Sequence, residues 1–186
     1  MGLHIADPDF TAKLAQAPLD AELIDQIANV RHEAWMKEKE KQGYRYAPPP
    51  RSDIKPNLTH PLMLPYSELS ELEKEGDRRP ARLTADYLKR LGYNIRRRPA
   101  SGSSPGAIST FPTDDLNKLI HHEHNIWMQE KWLTGWDSAD IAQNHLRLHH
   151  DLVDTAALSS TERALDQAII NALPNGLQAA GWEITK

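Results

Sequence analysis

Apolar residues recur three and four positions apart near the start of the chain and again past its middle, which is the pattern of an amphipathic helix. The two sets are Leu23, Ile24, Ile27, Val30 and Ala34, and Leu116, Leu119 and Ile120. Asp20 precedes the first set and Thr113-Asp114 the second, and these residue types often cap helices. Since glycine is common just after a helix, we expect the two helices to end at Gly43 and Gly135.

Each of these helices is followed by the signature of a second one. Capping boxes, in which a serine and a glutamate satisfy each other's backbone N–H groups, are predicted at Ser70-x-x-Glu73 and Ser159-x-x-Glu162. Proline lacks a backbone N–H, so Pro80 and Pro174 are expected to kink or interrupt these helices. A helix end and a short extended piece are predicted at Gly92-Tyr93-Asn94-Ile95 and Gly181-Trp182-Glu183-Ile184.

The polar and aromatic residues show that this order of elements is a repeat. Three blocks recur 92 positions later: Trp35-Met36, Glu38-Lys39 and Gly43-Tyr44 as Trp127-Met128, Glu130-Lys131 and Gly135-Trp136. From His60 onward, which matches His149, the offset is 89. A three-residue length difference within the Pro-rich residues 47–58 accounts for the change. The chain is therefore predicted to contain a duplicated unit of about 75 residues.

The duplication sets the predicted fold class. We expect a mainly α protein of two tandem helix-pair repeats with pseudo-twofold symmetry, each with short extended segments and an irregular loop. Residues 97–112 are rich in proline, glycine and serine without apolar periodicity, as linkers are. The predicted division is an N-terminal segment (1–21), a first repeat (22–98), a linker (99–112) and a diverged second repeat (113–186).

Composition limits the class of protein. The chain has 186 residues and no cysteine, which excludes disulfides and thiolate metal sites and is typical of a reducing compartment. Residues 1–10 carry two aspartates and no apolar run, so no signal peptide is predicted. No stretch approaches the roughly 20 apolar residues of a membrane-spanning helix. We therefore expect a soluble, cytoplasmic protein without a membrane partner.

Charge is distributed unevenly between the repeats. Residues 22–98 hold 16 Lys/Arg against 12 Asp/Glu, whereas residues 113–186 hold 5 against 11. The basic first half could pair with the acidic second half or present a positive wall to an anionic ligand. Neither half is basic enough to indicate binding of duplex nucleic acid, for which a domain pI above about 9 is usual.

The blocks of the first repeat resemble the ryanodine-receptor (RyR) repeat. They are His32-Glu33-x-Trp35, Gly43-Tyr44-x-Tyr46, His60-Pro61-x-x-x-Pro65-Tyr66-x-x-Leu69, Glu73-Lys74-x-x-Asp77-Arg78 and Gly92-Tyr93-x-Ile95. The second copy retains fewer of them and has Asp154-Thr155 in place of the Pro-Tyr element. This family forms tandem pairs in large calcium-release channels and also occurs in small bacterial and phage-type proteins. The resemblance implies a binding module rather than an enzyme, with a nucleotide-type ligand held between paired repeats.

A stripe of side chains on each first helix is the candidate ligand site. Arg31, Trp35 and Lys39 are spaced four apart and so share one helix face, and the matching stripe on the second copy is Glu123, Trp127 and Lys131. An indole can stack on a base, and a lysine one turn away can bind a phosphate. His60 and His149, which follow the variable loops, could donate to a phosphate or a ribose. Core packing of the tryptophans and loop fixing by the histidines remain the alternatives.

The second repeat also carries a histidine-rich set. It comprises His121, His122, His124, His145, His149, His150 and Asp151. The set lacks an HExxH motif and has no counterpart in the first copy, so we expect no metal site and no cofactor. The sequence also holds no phosphate loop or nucleophile motif, and we expect no enzyme. Besides a nucleotide-binding protein, a protein-interaction module anchored by the tryptophans stays open, with a histidine-metal hydrolase as a third reading.

Overall fold

A computed structural model describes residues 20–140 and 146–186. The first repeat consists of helix α1 (Ala21–Lys41), strands β1 (Arg45–Tyr46) and β2 (Thr59–His60), a 3₁₀ turn (Tyr66–Glu68), helix α2 (Glu71–Arg90) and strand β3 (Asn94–Arg97). The second repeats this order with α3 (Thr113–Leu133), β4 (Asp137–Ser138), β5 (Leu148–His149), a 3₁₀ turn (Thr155–Ala157), α4 (Ser160–Ala179) and β6 (Trp182–Thr185). The predicted mainly α fold of two tandem helix pairs is confirmed.

The local signals act as predicted at most helix ends; the exception is α3, which begins at Thr113 itself, after Pro112 and without a side-chain cap. The Asp20 side chain accepts a hydrogen bond from Glu22 N at 2.9 Å, and both capping boxes are formed. Gly43 and Gly135 follow the ends of α1 and α3 with φ of 92° and 81°, a left-handed conformation that residues with a Cβ rarely adopt. These turns direct the chain into the short parallel pairs β1–β2 and β4–β5.

Two contacts place a pseudo-twofold axis between the repeats. Arg31 and Glu123 occupy equivalent positions on α1 and α3, and they form a buried ion pair with each other. Ile95 and Ile184 are likewise equivalent, and they lie opposite each other where β3 and β6 pair antiparallel. A residue that contacts its own equivalent must lie near the symmetry axis. The axis therefore passes between α1 and α3 at one end and through the β3–β6 ribbon at the other.

The two repeats share a single apolar core. Fully buried side chains come from all four helices and from strand β6: Ile27, Ala28, Ala81, Leu88, Leu119, Ile120, Ile170, Leu173, Leu177 and Ile184. Helix α1 packs against both α2 and α4, so it contacts its own repeat and the other one. The repeats thus depend on each other for burial of apolar surface.

Two sequence predictions need correction. Neither Pro80 nor Pro174 interrupts its helix, since α2 and α4 each run unbroken for 20 residues. Both prolines are buried, and packing of the apolar ring stabilises a helical turn that the missing N–H weakens. Thr84 Oγ1 donates to the Pro80 carbonyl at 3.0 Å.

The Pro/Gly/Ser linker is tied to the fold rather than extended away from it. Ile108 N donates to Ile184 O at 2.9 Å, which adds the linker to the edge of β6. Phe111 packs edge-on against Tyr93, with ring centroids 5.4 Å apart. The linker thereby covers the strand ribbon. No helix within the described ranges is long and apolar enough to cross a membrane.

Candidate functional site

The two predicted tryptophans lie in equivalent settings, each between two histidines. His32 and His60 contact the Trp35 ring, with centroid distances of 5.5 and 5.0 Å. His124 and His149 contact Trp127 at the same 5.5 and 5.0 Å. Both indoles are half-buried, so neither is a core residue of its repeat. One face of each remains available to a cavity between the repeats.

The first histidine of each set is fixed by two hydrogen-bond acceptors. His32 Nε2 lies 2.8 Å from Leu64 O, and its Nδ1 lies 3.0 Å from the Asp77 carboxylate. His124 makes the equivalent contacts, at 2.9 Å to Val153 O and 3.2 Å to Asp166. Burial alone lowers the pKa of an imidazole, but the adjacent carboxylates outweigh it and raise the pKa of both histidines. These histidines hold the loops and the indoles in place.

The second histidine of each set is neutral. His60 Nδ1 accepts a hydrogen bond from Leu62 N at 3.1 Å, and His149 Nδ1 accepts from Asp151 N at 3.2 Å. Burial, helped by the charge of Arg51, lowers the pKa of His60 to about 3. Burial and the charge of His150 lower the pKa of His149 to about 4. Near neutral pH each ring therefore keeps one proton, on Nε2, and offers a ligand a hydrogen bond but no charge.

Three cations converge on the same region. Lys39 Nζ lies 4.6 Å from the Tyr44 ring centroid, and Lys131 Nζ lies 4.6 Å from that of Trp136, so each lysine extends over its own repeat's aromatic. Burial and the charge of Arg51 lower the pKa of both lysines. Arg51, from the Pro-rich loop, is half-buried and paired with Asp53 at 2.7 Å. A positive charge shared by three groups is thus held where solvent screens it poorly.

The inner cavity, of about 230 Å³, brings most of these groups together. Its lining includes six of the seven predicted site residues, namely Trp35, Lys39, His60, Trp127, Lys131 and His149. Its apolar floor, which was not predicted, is formed by Leu62, Leu158, Leu165 and Ile169. An outer groove of about 680 Å³ adjoins it and shares Lys39, Arg51 and His149. The space suits a flat ring system inside and a polar extension outside.

A mate cavity of about 210 Å³ lies on the other side of the two indoles. The inner cavity is lined by α4, and the mate cavity is lined by the equivalent positions of α2. Gly76 and Pro80 of α2 correspond to Leu165 and Ile169 of α4. Trp35 and Trp127 line both cavities. The tryptophans therefore form the partition between two pseudo-symmetric spaces.

Arg31 stands apart from the other predicted residues. Its guanidinium donates to both carboxylate oxygens of Glu123, and it also donates to Thr84 Oγ1 at 2.8 Å. Only 5% of the residue is exposed, and it lines the mate cavity rather than the inner one. Since its charge is already neutralised, the structure gives it a bridging position between α1 and α3.

The inner cavity has an acidic edge, and the sequence did not predict that Asp151, named only in the histidine-rich set, would lie there with Glu162. Asp151 and Glu162 line the inner cavity and the outer groove, close to His150. Burial and the neighbouring Glu162 raise the pKa of Asp151 to about 7. Glu162 was recognised only as a helix cap. The sequence difference that could have drawn attention to this edge is the replacement of Pro61-Leu62 in the first repeat by His150-Asp151 in the second.

The histidines of α3 do not converge on one point. His121 Nδ1 lies 2.9 Å from Thr155 Oγ1, whereas His122 stacks on Tyr87 with ring centroids 3.9 Å apart. His124 is held by Asp166. His145 lies outside the described residues. Within the described part of the chain, the histidines that remain together are His149 and His150, beside Asp151.

Comparison with known families agrees with this duplicated geometry. The family model described as RyR domain matches the chain twice, over residues 12–97 and 112–186. The two matches leave out mainly the start of the chain and part of the linker.

Proposed function

The chain belongs to the RyR domain family, and we propose that it is a non-catalytic binding protein that holds a nucleotide-like anion in the cleft between its repeats. The observation that carries this proposal is the convergence of Lys39 and Lys131, from equivalent positions on α1 and α3, on the inner cavity, which Trp35 and Trp127 also line.

The electrostatics of the cleft favour an anion. Both lysines have lowered pKa values because they are partly buried and lie close to Arg51. Such an arrangement destabilises the charged form of each lysine. A bound phosphate would offset both the cost of desolvating the ammonium groups and the repulsion between the positive charges. Charge-assisted hydrogen bonds to phosphate are among the stronger polar contacts in proteins.

The aromatic groups favour a ligand with a flat base. Trp35 and Trp127 are neither fully exposed nor fully buried, and the cavity between them has an apolar floor. Stacking of a base on an aromatic side chain contributes about 1–3 kcal/mol. Neutral His60 and His149 would supply hydrogen bonds to a ribose or phosphate oxygen, and the lysines would supply the positive charge.

Thermal shift against a panel of nucleotides and cyclic nucleotides, followed by calorimetry, tests the proposal. For a nucleotide that binds, Lys39→Ala should weaken binding by about 1.5–3 kcal/mol, and raised salt should remove part of the difference. Trp35→Ala should weaken binding by about 1–3 kcal/mol with little salt dependence. Lys37→Ala is the matched control, because Lys37 is exposed on the same helix and does not line the inner cavity.

Two results would contradict the proposal. One is a wild-type protein that no nucleotide stabilises; the other is nucleotide affinity that neither Lys39→Ala nor Trp35→Ala changes. A protein-interaction module predicts the first result together with loss of a protein partner on Trp35→Ala. The half-burial of both indoles inside a cleft gives that reading less support than a protruding tryptophan would.

A further inference from the structure

We propose that His150, Asp151 and Glu162, with His149 beside them, form a binding site for one divalent transition-metal ion of the zinc type at the edge of the cleft. The site adjoins the proposed nucleotide site and shares His149 with it, but all its donor atoms belong to the second repeat and it can be tested without a nucleotide. It is also a revision of the sequence-based expectation that the histidines hold no metal.

The donor atoms have the spacing of a metal-binding face. His150 Nε2 lies 2.7 Å from Glu162 Oε1 and 3.1 Å from Asp151 Oδ1. Atoms bound to one tetrahedral zinc ion at about 2.0–2.2 Å stand roughly 3.3–3.6 Å apart, so the present contacts would have to lengthen by less than about 1 Å to admit the ion. One possible ligand atom from each of His149, His150 and Asp151 lies within 4.8 Å of the other two. A metal ion could therefore bind with small side-chain rotations.

One acceptor in this cluster is left without a hydrogen bond. Asp151 Oδ1 is shielded from solvent and accepts no hydrogen bond, although His150 Nε2, which lies 2.7 Å from Glu162 Oε1, is only 3.1 Å away. A shielded carboxylate oxygen without a donor is costly. A cation coordinated there would remove that cost.

The surrounding backbone orients the ligands. Glu162 uses Oε2 to accept the hydrogen bond from Ser159 N at 2.9 Å, which leaves Oε1 to His150. His149 Nδ1 accepts from Asp151 N, so the turn between these residues is fixed. Hydrogen bonds of this kind orient the ligands of known metal sites.

The first repeat shows that the fold does not require this cluster. Its capping glutamate, Glu73, accepts from Ser70 N at 2.8 Å in the same way, but Pro61 and Leu62 occupy the positions of His150 and Asp151. The same helix start therefore forms with a proline and a leucine at these two positions. The added donors of the second repeat need an explanation other than capping.

The types of ligand atom indicate which class of metal ion would bind. Imidazole nitrogens combined with carboxylate oxygens suit zinc and similar transition metals, whereas magnesium and calcium prefer oxygen alone. Nothing in the proposal requires a reaction at the metal.

Zinc binding to the metal-stripped full-length chain, measured by calorimetry and by competition with a chromophoric chelator, tests the site without any nucleotide present. We expect one zinc ion per chain, unaffected by excess magnesium. His150→Ala and Glu162→Gln should each weaken zinc binding at least tenfold. The glutamine retains a carbonyl oxygen for the cap, and circular dichroism should show that both variants keep the wild-type helical content.

Glu73→Gln and His121→Ala are the matched controls, as the first alters the equivalent cap and the second an exposed histidine of α3. Both should bind zinc as the wild type does. The proposal is overturned if the wild type binds no zinc, or if His150→Ala and Glu162→Gln together leave zinc affinity unchanged.

Discussion

The same contact between repeats is built twice, once with small side chains and once with large ones. Where α1 meets α4, Val30 faces Gly176 so closely that a Cβ on the glycine would lie 2.6 Å from Val30 Cγ1. At the equivalent place between α3 and α2, His122 stacks on Tyr87 with centroids 3.9 Å apart. A pseudo-symmetric pair of interfaces thus accommodates both close helix packing and an aromatic stack, provided that each pair of side chains is matched.

The hydrogen bonds behind the cleft wall also differ between the repeats, while the histidine, aspartate and tryptophan of the wall itself keep the same arrangement. In the first repeat, Asp25 accepts hydrogen bonds at 2.8 Å from both Tyr66 Oη and Arg78 Nε. The equivalent residues of the second repeat are Asn117, Thr155 and Gln167, which cannot form that network. In contrast, the histidine, aspartate and tryptophan of each wall keep nearly the same geometry. The duplication therefore preserved the histidine, aspartate and tryptophan of each cleft wall and let the residues behind them vary.

The largest expected effect comes from breaking the one ion pair that joins equivalent positions. Glu123→Ala leaves the Arg31 guanidinium buried without its carboxylate, and the free energy of unfolding should fall by about 3–5 kcal/mol. Urea unfolding of the full-length chain measures this. Exchanging the two residues (Arg31→Glu with Glu123→Arg) should restore only part of the loss. Thr84 accepts a hydrogen bond from arginine at position 31, whereas the residue equivalent to Thr84 in the second repeat is Leu173, which cannot accept one. Full restoration would show that the surroundings are more symmetric than the contacts indicate.

A smaller loss should follow when a methyl group is added at the close contact. Gly176→Ala places a Cβ against Val30 and should lower the free energy of unfolding by about 1–3 kcal/mol. The control is Gly76→Ala in α2, where nothing lies within 4 Å of an added Cβ. That change should stabilise the protein by up to about 1 kcal/mol, since glycine is unfavourable inside a helix. Thermal or urea unfolding that shifts equally in both variants would contradict the difference between the interfaces.

The smallest effect concerns pH and the wall that both repeats share. The Asp77 carboxylate, with Glu33 nearby, raises the pKa of His32 above its ordinary value of 6.5 despite burial. Because the folded protein binds this proton more tightly than the unfolded chain, the contribution to stability is complete below about pH 6.5 and disappears as pH rises through the folded pKa. We expect Asp77→Asn to reduce the fall in stability over that range, as should Asp166→Asn in the second repeat. Unfolding curves at several pH values would show whether the two variants behave alike.

The parts of this fold that depend on local interactions were predictable from the sequence. Helix caps at Asp20, Ser70 and Ser159 need only neighbouring residues, and the repeat itself predicted the equivalence of Trp35 and Trp127. The path of α2 through Pro80 was not predictable, because burial in the core decides it. Asp151 was noted only within the histidine-rich set and Glu162 only as a helix cap, because the two meet at the cavity only after the chain folds. Arg31 was assigned to the ligand because its partner is 92 residues away. Opposite charges at equivalent positions of a duplicated chain are a signal that could have found that pair.

The Arg31–Glu123 ion pair also determines which repeats can associate. If two first repeats met in the same arrangement, two guanidinium groups would be buried against each other, and two second repeats would bury two carboxylates. Either mismatch would leave uncompensated charge in a desolvated place, which is strongly unfavourable. Pairing of a first repeat with a second repeat is therefore favoured over pairing of two like repeats. The cleft consequently has one wall from the first repeat and one wall from the second.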